Sequence, residues 1–399
     1  MLDAYIYDGA RTAFGKYCGA LAPVRPDDLA AAVIKALVER NSFDPLLIDD
    51  VILGCACQSG EDSRNVARYA SLLAGLPVEV SGQTVNRLCG SSLAAILDSA
   101  RAITCGEGEV FIAGGVESMT RAPLTLNKAG SAFSKDIKIY DSAIGVRFPN
   151  PKIGKQYGHE AMPQTADNVA VAEDISREQC DQFALASQEK WASATKNGYF
   201  AEEIIAVNIP QKRGKDDVVV DSDEHPRASS LEKMATMRAL FEGGVVTAAN
   251  ASGVNDGAAA VLLGSRGFGE KHDLQPIARV LGGATAGIEP SMMGLGPVPA
   301  CRKILKRLGL TLEQMDVIEI NEAFAAQVLG NLKQLGLAED DPRVNPNGGA
   351  IAAGHPLGAS GARIALTAAR QLQRTGGRYA LISMCVGVGQ GIAMVIERS

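Results

Sequence analysis

A chain of 399 residues is long for one hydrophobic core and points to two or three domains of ordinary size. With 46% hydrophobic and 21% charged residues it has the composition of a folded globular protein, which excludes a disordered or fibrous one. Thirty-nine basic against 45 acidic residues leave a net charge of −6; this excludes a nucleic-acid surface built on bulk charge and requires any anionic ligand to meet a local basic patch.

The first residues, MLDAYIYDGARTAFG, carry acids early and lack a basic segment followed by an apolar one, so no signal peptide is expected and the cytoplasm is the expected compartment. Eight cysteines without a regular framework read as reduced thiols of an intracellular protein. Cys55 and Cys57 form a CxC pair, but with no second pair of ligands they are not read as a zinc site.

In chain order, an apolar run at Ala4–Tyr7 predicts a strand, the period over Asp27–Arg40 a helix, Val51–Cys55 a strand and Asn65–Leu73 a helix. A strand near Gln83–Val85, a helix over Ser91–Ile103 and a strand at Val110–Ala113 follow, and such alternation predicts a layered α/β domain. From Met119 to Thr247 polar and basic segments surround one long helix, Ser176–Asn197, and this stretch reads as an insertion. Alternation then resumes, with helices at Ala300–Leu308, Phe324–Leu335 and Ser360–Arg374. The apolar stretch Tyr379–Ile396 is broken by Gly387, Gly389, Gln390 and Gly391, which predicts two buried strands and a turn rather than a membrane span.

The chain also looks duplicated. Asp50-Val51-Ile52 and Asp316-Val317-Ile318 each begin a strand, and Cys89 and His355 each lie 39 residues beyond the aspartate. In both halves a glycine-rich loop starts a helix (NRLCGSSLAAILDSARAI, GHPLGASGARIALTAARQL), so a pseudo-twofold axis would bring Cys89 and His355 face to face.

Cys89 stands at the first turn of its predicted helix, where free N–H groups and the helix dipole favour a thiolate. His355, on a loop fixed by Gly354 and Pro356, is placed to accept its proton, whereas His225 and His272 sit among charges and read as surface residues. Cys385 ends an apolar strand in Met384-Cys385-Val386-Gly387-Val388-Gly389, where the glycines admit a ligand and leave N–H groups for an oxyanion. The same GVGQG is a poor dinucleotide fingerprint, since a strand follows it where a helix is required. Asn321, directly after the strand Val317–Ile320, offers an amide to a water or an acyl oxygen, or else a helix cap.

Together NRLCGS, NEAF, GHPLG and CVG, with ASGVNDGAAA between the first two, resemble the thiolase family over essentially the whole chain. The resemblance implies duplicated βαβαβαββ halves in five α-β-α-β-α layers: residues 1–118 with 248–273, an inserted loop domain at 119–247, and residues 274–399. It also implies that Cys89 is the acyl-accepting nucleophile, His355 its activator and Cys385 the acid/base. One oxyanion hole would come from Asn321, through a water, and His355, the other from the N–H groups of Cys89 and Gly387. Ser252, Met162 and Phe324 are expected along the pantetheine and acyl channel, with Arg213, Arg227 and His159 among the basic groups near CoA. No metal or organic cofactor is expected, CoA is a substrate, no nucleic acid or membrane is a partner, and a homodimer or homotetramer through the insertion is implied.

Within the family, GVRFPNPKIGKQYGHEAMPQTADNVA, GEDSRNVAR and MCVGVGQG resemble bacterial 3-oxoadipyl-CoA thiolases of aromatic catabolism. Thiolases of acetoacetyl-CoA usually carry His-Met where this chain has Ala161-Met162 and a third glycine in place of Val388. A dicarboxylic acyl chain would need a cation, for which Arg147, Lys152, Lys155 and His159 are candidates. A non-catalytic acyl-binding relative and a decarboxylating ketoacyl synthase are opposed by the Cys–His–Cys set.

Overall fold

A computed structural model describes residues 1–62, 64–211 and 214–399. Among these, nine strands follow one hydrogen-bonded path: Ser81–Val85, Asp50–Gly54, Val110–Ser118, Asn255–Gly264, Ala4–Thr12, Ala278–Gly287, Gln390–Arg398, Tyr379–Val386 and Val317–Ile320. The first five form an N-terminal sheet and the last four a C-terminal sheet with the same succession of directions. Asp50–Gly54 runs parallel to Val110–Ser118 as Val317–Ile320 does to Tyr379–Val386, and antiparallel pairs continue both sheets. The two sheets meet where Ala4–Ile6 pairs antiparallel with Ala278–Val280, so the halves share backbone hydrogen bonds as well as side-chain packing.

The five layers implied by the duplication are present. Between the sheets lie the cysteine helix (Ser91–Cys105) and the histidine helix (Leu357–Thr375), whose Leu93, Ile96, Ile364 and Leu366 pack with Phe111 and Val261 from one sheet and Ile382 and Met394 from the other. On the outer face of the N-terminal sheet, Leu29, Ile34 and Leu37 of the Pro26–Arg40 helix cover Leu53, Ile112 and Leu262. Opposite, Ile304 and Val328 from two helices cover Leu381 and Val395. Strands covered on both faces have no reason to alternate polar and apolar residues, which is why VFIAGGV and ALISMCV read as near-continuous apolar runs.

The duplication is real but one residue out of the register read from the sequence. The counterpart of Asp316 is Asp49: each donates its N–H to a carbonyl of the neighbouring strand (Val110, Tyr379) and accepts two backbone N–H groups at that strand's start. A pair of consecutive aspartates, Asp49 and Asp50, offered the sequence two choices. The stretch 119–247 is tied closely to the rest. Ile204–Ile205 pairs with Arg11–Thr12, and the long helix, Arg177–Lys196 with Ser176 as cap, buries Trp191 against Phe200 at 4.1 Å between ring centroids. Among the described residues no helix is long and apolar enough to cross a membrane, and Tyr379–Ile396 is two strands and a turn, as expected.

The two central helices touch backbone to backbone. A Cβ on Gly361 would lie 2.5 Å from the backbone nitrogen of Leu93, and the Ser92 hydroxyl accepts the N–H of Ala362 at 2.9 Å. Helix propensity alone favours Gly361→Ala by about 1 kcal/mol. Because overpacking decides here, the substitution is expected instead to destabilise by roughly 1–3 kcal/mol, as measured by urea unfolding.

Candidate active site

Cys89 lies on a turn ahead of its helix, which the backbone reaches only by placing Leu88 at φ +47°, a left-handed conformation that side chains disfavour. Local hydrogen bonds hold it there. The Leu88 N–H donates to Asn86 Oδ1 at 2.9 Å, and the Ser91 hydroxyl donates to the Leu88 carbonyl at 2.6 Å while accepting the Arg87 N–H at 2.8 Å. The turn leaves Cys89 half-buried, with its thiol beneath the backbone N–H of Gly387 and its own N–H.

His355 lies just ahead of the histidine helix, as Cys89 does of its own. Gly354 enters the turn at φ +99°, where a Cβ would lie 2.5 Å from Asn255 Cγ; the Asn255 side chain in turn accepts the His355 N–H at 2.9 Å. Ser360 fixes the tautomer: its hydroxyl donates to the Pro356 carbonyl at 2.9 Å, so across 2.6 Å it accepts the proton of His355 Nδ1. Nε2 is therefore left with a lone pair, 3.4 Å from Asn321 Nδ2. Asn321 is carried beside the Cys385 strand by its N–H, which donates to the Ser383 carbonyl at 3.0 Å, and its Oδ1 is buried without a partner among the described residues. An unpartnered amide oxygen next to a neutral imidazole is a place for a water or a substrate oxygen.

Cys385 is 1% exposed near the end of its strand, two residues before Gly387, which opens the hairpin turn Gly387-Val388-Gly389. Val388 there takes φ +62°, and its side chain is 61% exposed. Electrostatics run against the expectation of a resting thiolate. Burial pushes the Cys89 thiol up to about 11, with the N–H groups of Gly387 and Cys89 pulling the other way and Glu117 adding to the rise. The expectation counted the helix terminus and left out desolvation, which is the larger effect. Burial, with Arg363 in second place, lowers His355 to about 3. Cys385 is raised far above a free thiol, first by burial and then by Cys89, which places the two sulfurs in one field. The resting site therefore holds two thiols and a neutral imidazole, able to pass protons once a substrate arrives.

Glu117, which the sequence did not single out, ties these loops together. Its buried carboxylate accepts the N–H groups of Ala56 (2.9 Å), Cys57 (3.1 Å) and Gly358 (2.9 Å), the last on the first turn of the histidine helix. The Ala56 carbonyl in turn accepts the side-chain amide of Asn86, which props the Cys89 turn. Cys55 and Cys57 both lie against this carboxylate.

Of the other expected residues, Ser252 is half-buried and donates its N–H to the Ala323 carbonyl, and Phe324 packs with Ala251, Met293 and Cys385. Met162 begins a helix on the other flank, its sulfur 3.9 Å from where a Cβ on Gly387 would be. Arg227 is exposed and donates to the Ala248 carbonyl, near Ser252; Arg213 lies outside the described residues. His159 lines a groove with Met162 and Val388. His225 and His272 are not the surface residues expected. Each is partly buried with an unpartnered Nε2, His225 against Gly253, where burial and Arg227 lower it to about 4, and His272 against the Phe268 ring at 4.7 Å. Charged sequence neighbours concealed both contacts, although Phe268 lies only one helical turn before His272.

Residues 4–267 match the family described as "Thiolase, N-terminal domain" and residues 274–398 "Thiolase, C-terminal domain". A beta-ketoadipyl-CoA thiolase of Acinetobacter baylyi is 58% identical over 401 residues, covering all of both chains. A 3-oxoadipyl-CoA/3-oxo-5,6-dehydrosuberyl-CoA thiolase of Escherichia coli is 57% identical over 403 residues, again with full coverage of both. Among solved structures, the acetyl-CoA acetyltransferase of Bacillus anthracis superposes with a TM-score of 0.93 at 39% identity, over 100% of this chain and 99% of that one. Human mitochondrial 3-ketoacyl-CoA thiolase in complex with CoA gives 0.91 at 40%, over 100% and 98%.

Two pH dependences follow. With Cys89 at about 11 in the free protein, its alkylation by iodoacetamide is expected to quicken about tenfold per pH unit from roughly pH 7 to 10; a plateau near neutrality would contradict this. His355 is lowered from 6.5 to about 3, so the unfolded chain takes up a proton that the folded one refuses. Stability is thus expected to fall as the pH drops through 6.5 toward 3, and His355→Gln to flatten that limb of a melting-temperature profile.

Proposed function

The chain belongs to the thiolase family and is an acyltransferase, and on that premise we propose that it cleaves 3-oxoadipyl-CoA with CoA into acetyl-CoA and succinyl-CoA, or runs the reverse Claisen condensation. The observation that carries the proposal is the Cys89 sulfur held beneath the Gly387 N–H and in one field with Cys385, together with a His355 whose Nε2 keeps its lone pair beside Asn321. Full-length relatives named for 3-oxoadipyl-CoA support the substrate. Ala161 and Val388, in place of the His-Met histidine and the third glycine, argue against acetoacetyl-CoA.

In the proposed cycle His355 Nε2 takes the Cys89 proton as the sulfur attacks the C3 carbonyl of the bound ester. The C3 oxygen then carries the charge, within reach of the Cys89 and Gly387 N–H groups. Collapse breaks the C2–C3 bond, and the electron pair goes to the enolate of acetyl-CoA, whose oxygen meets protonated His355 and a water on Asn321. Cys385 protonates the C2 carbon, leaving succinyl-Cys89 and a Cys385 thiolate. Acetyl-CoA leaves, CoA enters, and Cys385 removes its thiol proton as that sulfur attacks the acyl-enzyme; the departing Cys89 sulfur recovers its proton from His355, so succinyl-CoA is released with both cysteines again thiols and His355 neutral. These steps require no metal or organic cofactor. Ser252, Phe324 and Met162 would line the pantetheine and acyl path, with Arg227 near the CoA phosphates. A cytoplasmic homodimer or homotetramer completes the proposal.

Incubation with acetyl-CoA is expected to add about 42 Da to Cys89, and Cys89→Ala to abolish both adduct and turnover. In thiolysis of a panel of 3-oxoacyl-CoA esters, kcat/KM for 3-oxoadipyl-CoA is expected to exceed that for acetoacetyl-CoA by at least about tenfold. Equal values for the two would remove the substrate assignment while leaving the adduct result intact.

A further inference from the structure

A substrate that ends in a carboxylate asks for a positive charge at the far end of its acyl pocket, and none of Cys89, His355, Asn321 and Cys385 supplies one. A groove of about 760 Å³ opens beside the hairpin tip, walled by Val146, Ile153, Tyr157, Met162, Ile288 and Val388. Two of its walls, Met162 and Val388, adjoin Gly387, where a Cβ would contact Leu88 at 3.1 Å and the Met162 sulfur at 3.9 Å. Its apolar walls suit methylenes.

Of the four basic residues in this stretch, Lys152 and Lys155 are exposed on the short helix Pro151–Tyr157 and, like Arg147, are not part of the groove's walls. His159 does line it, but its Nε2 faces the Asn150 carbonyl at 3.3 Å, and Glu160, on the same wall, places a carboxylate where another would have to come. Arg147 differs in kind. It follows Val146 of the groove wall and is half-buried, yet among the described residues no carboxylate pairs with it. Its anchors are neutral: one nitrogen, Nη1, donates to the Cys57 carbonyl at 2.8 Å and to the Ser59 hydroxyl. Nε and Nη2, the edge that grips a carboxylate with two parallel hydrogen bonds, have no partner there. The anchor also ties the charge to the cysteine turn, because Cys57 follows Ala56, whose carbonyl holds Asn86, and Asn86 holds Leu88 next to Cys89.

We propose that Arg147 is the specificity residue that reads the distal carboxylate of the acyl chain, gripping it through Nε and Nη2 while Nη1 stays tethered to the Cys57–Ser59 loop. This deepens the 3-oxoadipyl-CoA assignment and rests on it. A partly buried guanidinium left without a counter-ion is costly unless a ligand neutralises it, and a neutral tether keeps the position without spending the charge.

The test compares thiolysis of 3-oxoadipyl-CoA with that of 3-oxohexanoyl-CoA, the ester of the same length ending in a methyl group, for the wild type, Arg147→Gln, Arg147→Lys and His159→Gln. Arg147→Gln is expected to lower the ratio of kcat/KM values (adipyl over hexanoyl) by at least about 30-fold, mainly through KM, with Arg147→Lys intermediate because it keeps the charge and loses the fork. Should Arg147→Gln fail to fold, Arg147→Lys alone decides by the same ratio. Equal losses on both esters, or a ratio that falls with His159→Gln and not with the Arg147 variants, would overturn the assignment. A wild type that turns over both esters equally well would instead remove the substrate reading, a result seen before any variant is made.

Discussion

The contact between the backbones of the cysteine helix and the histidine helix is the constraint on which the site depends. Gly361 against Leu93 and Ser92 against Ala362 leave no room for side chains between the two helices, so their first turns are fixed relative to one another. Each helix begins just past a reactive residue, Cys89 on one and His355 on the other. Two N-termini, each with unpaired N–H groups, are therefore held together from opposite halves of a duplicated chain. Such an arrangement suits a negative charge that appears during a reaction, while burial discourages a permanent one. That is the physical reason the resting pair is neutral: desolvation raises the cysteine and lowers the histidine at once.

Glu117 extends the same constraint into the loops. By accepting N–H groups from Ala56, Cys57 and Gly358 it joins the loop that supports Asn86 to the start of the histidine helix. The Cys57–Ser59 segment that it steadies is the one that tethers Arg147. Cys89, His355 and Arg147 are thus connected through one buried carboxylate, and acyl transfer needs that kind of geometric precision.

What the sequence revealed follows the range of the forces involved. Cys89, His355, Cys385 and Asn321 were legible because each sits in a local motif whose glycines or prolines dictate its own backbone. The layered α/β architecture was legible because buried strands and amphipathic helices have different periods. The repeat was legible too, though misread by one residue, since only the pairing of Asp49 and Asp316 with neighbouring strands sets the register. Glu117 was not, because its partners are backbone N–H groups 60, 61 and 241 residues away and leave no mark on composition. His225 was misjudged for the same reason, its neighbour in space being Gly253, whereas His272 was misjudged although its ring partner, Phe268, lies only four residues before it. The acidity of Cys89 was misjudged because a helix terminus is visible in a sequence and the depth of burial is not.

The pairing of Ala4–Ile6 with Ala278–Val280 bears on how the cleft is entered. Two lobes joined only by a linker can hinge apart to admit a ligand; here a rotation would break main-chain hydrogen bonds in the seam and prise open the glycine contact beneath it. That leaves the lobes to act as one rigid frame. Passage in and out then falls to what lies over the frame, the partly exposed stretch that carries Arg147, His159 and Met162, where the backbone is bound by fewer ladder hydrogen bonds than in the seam.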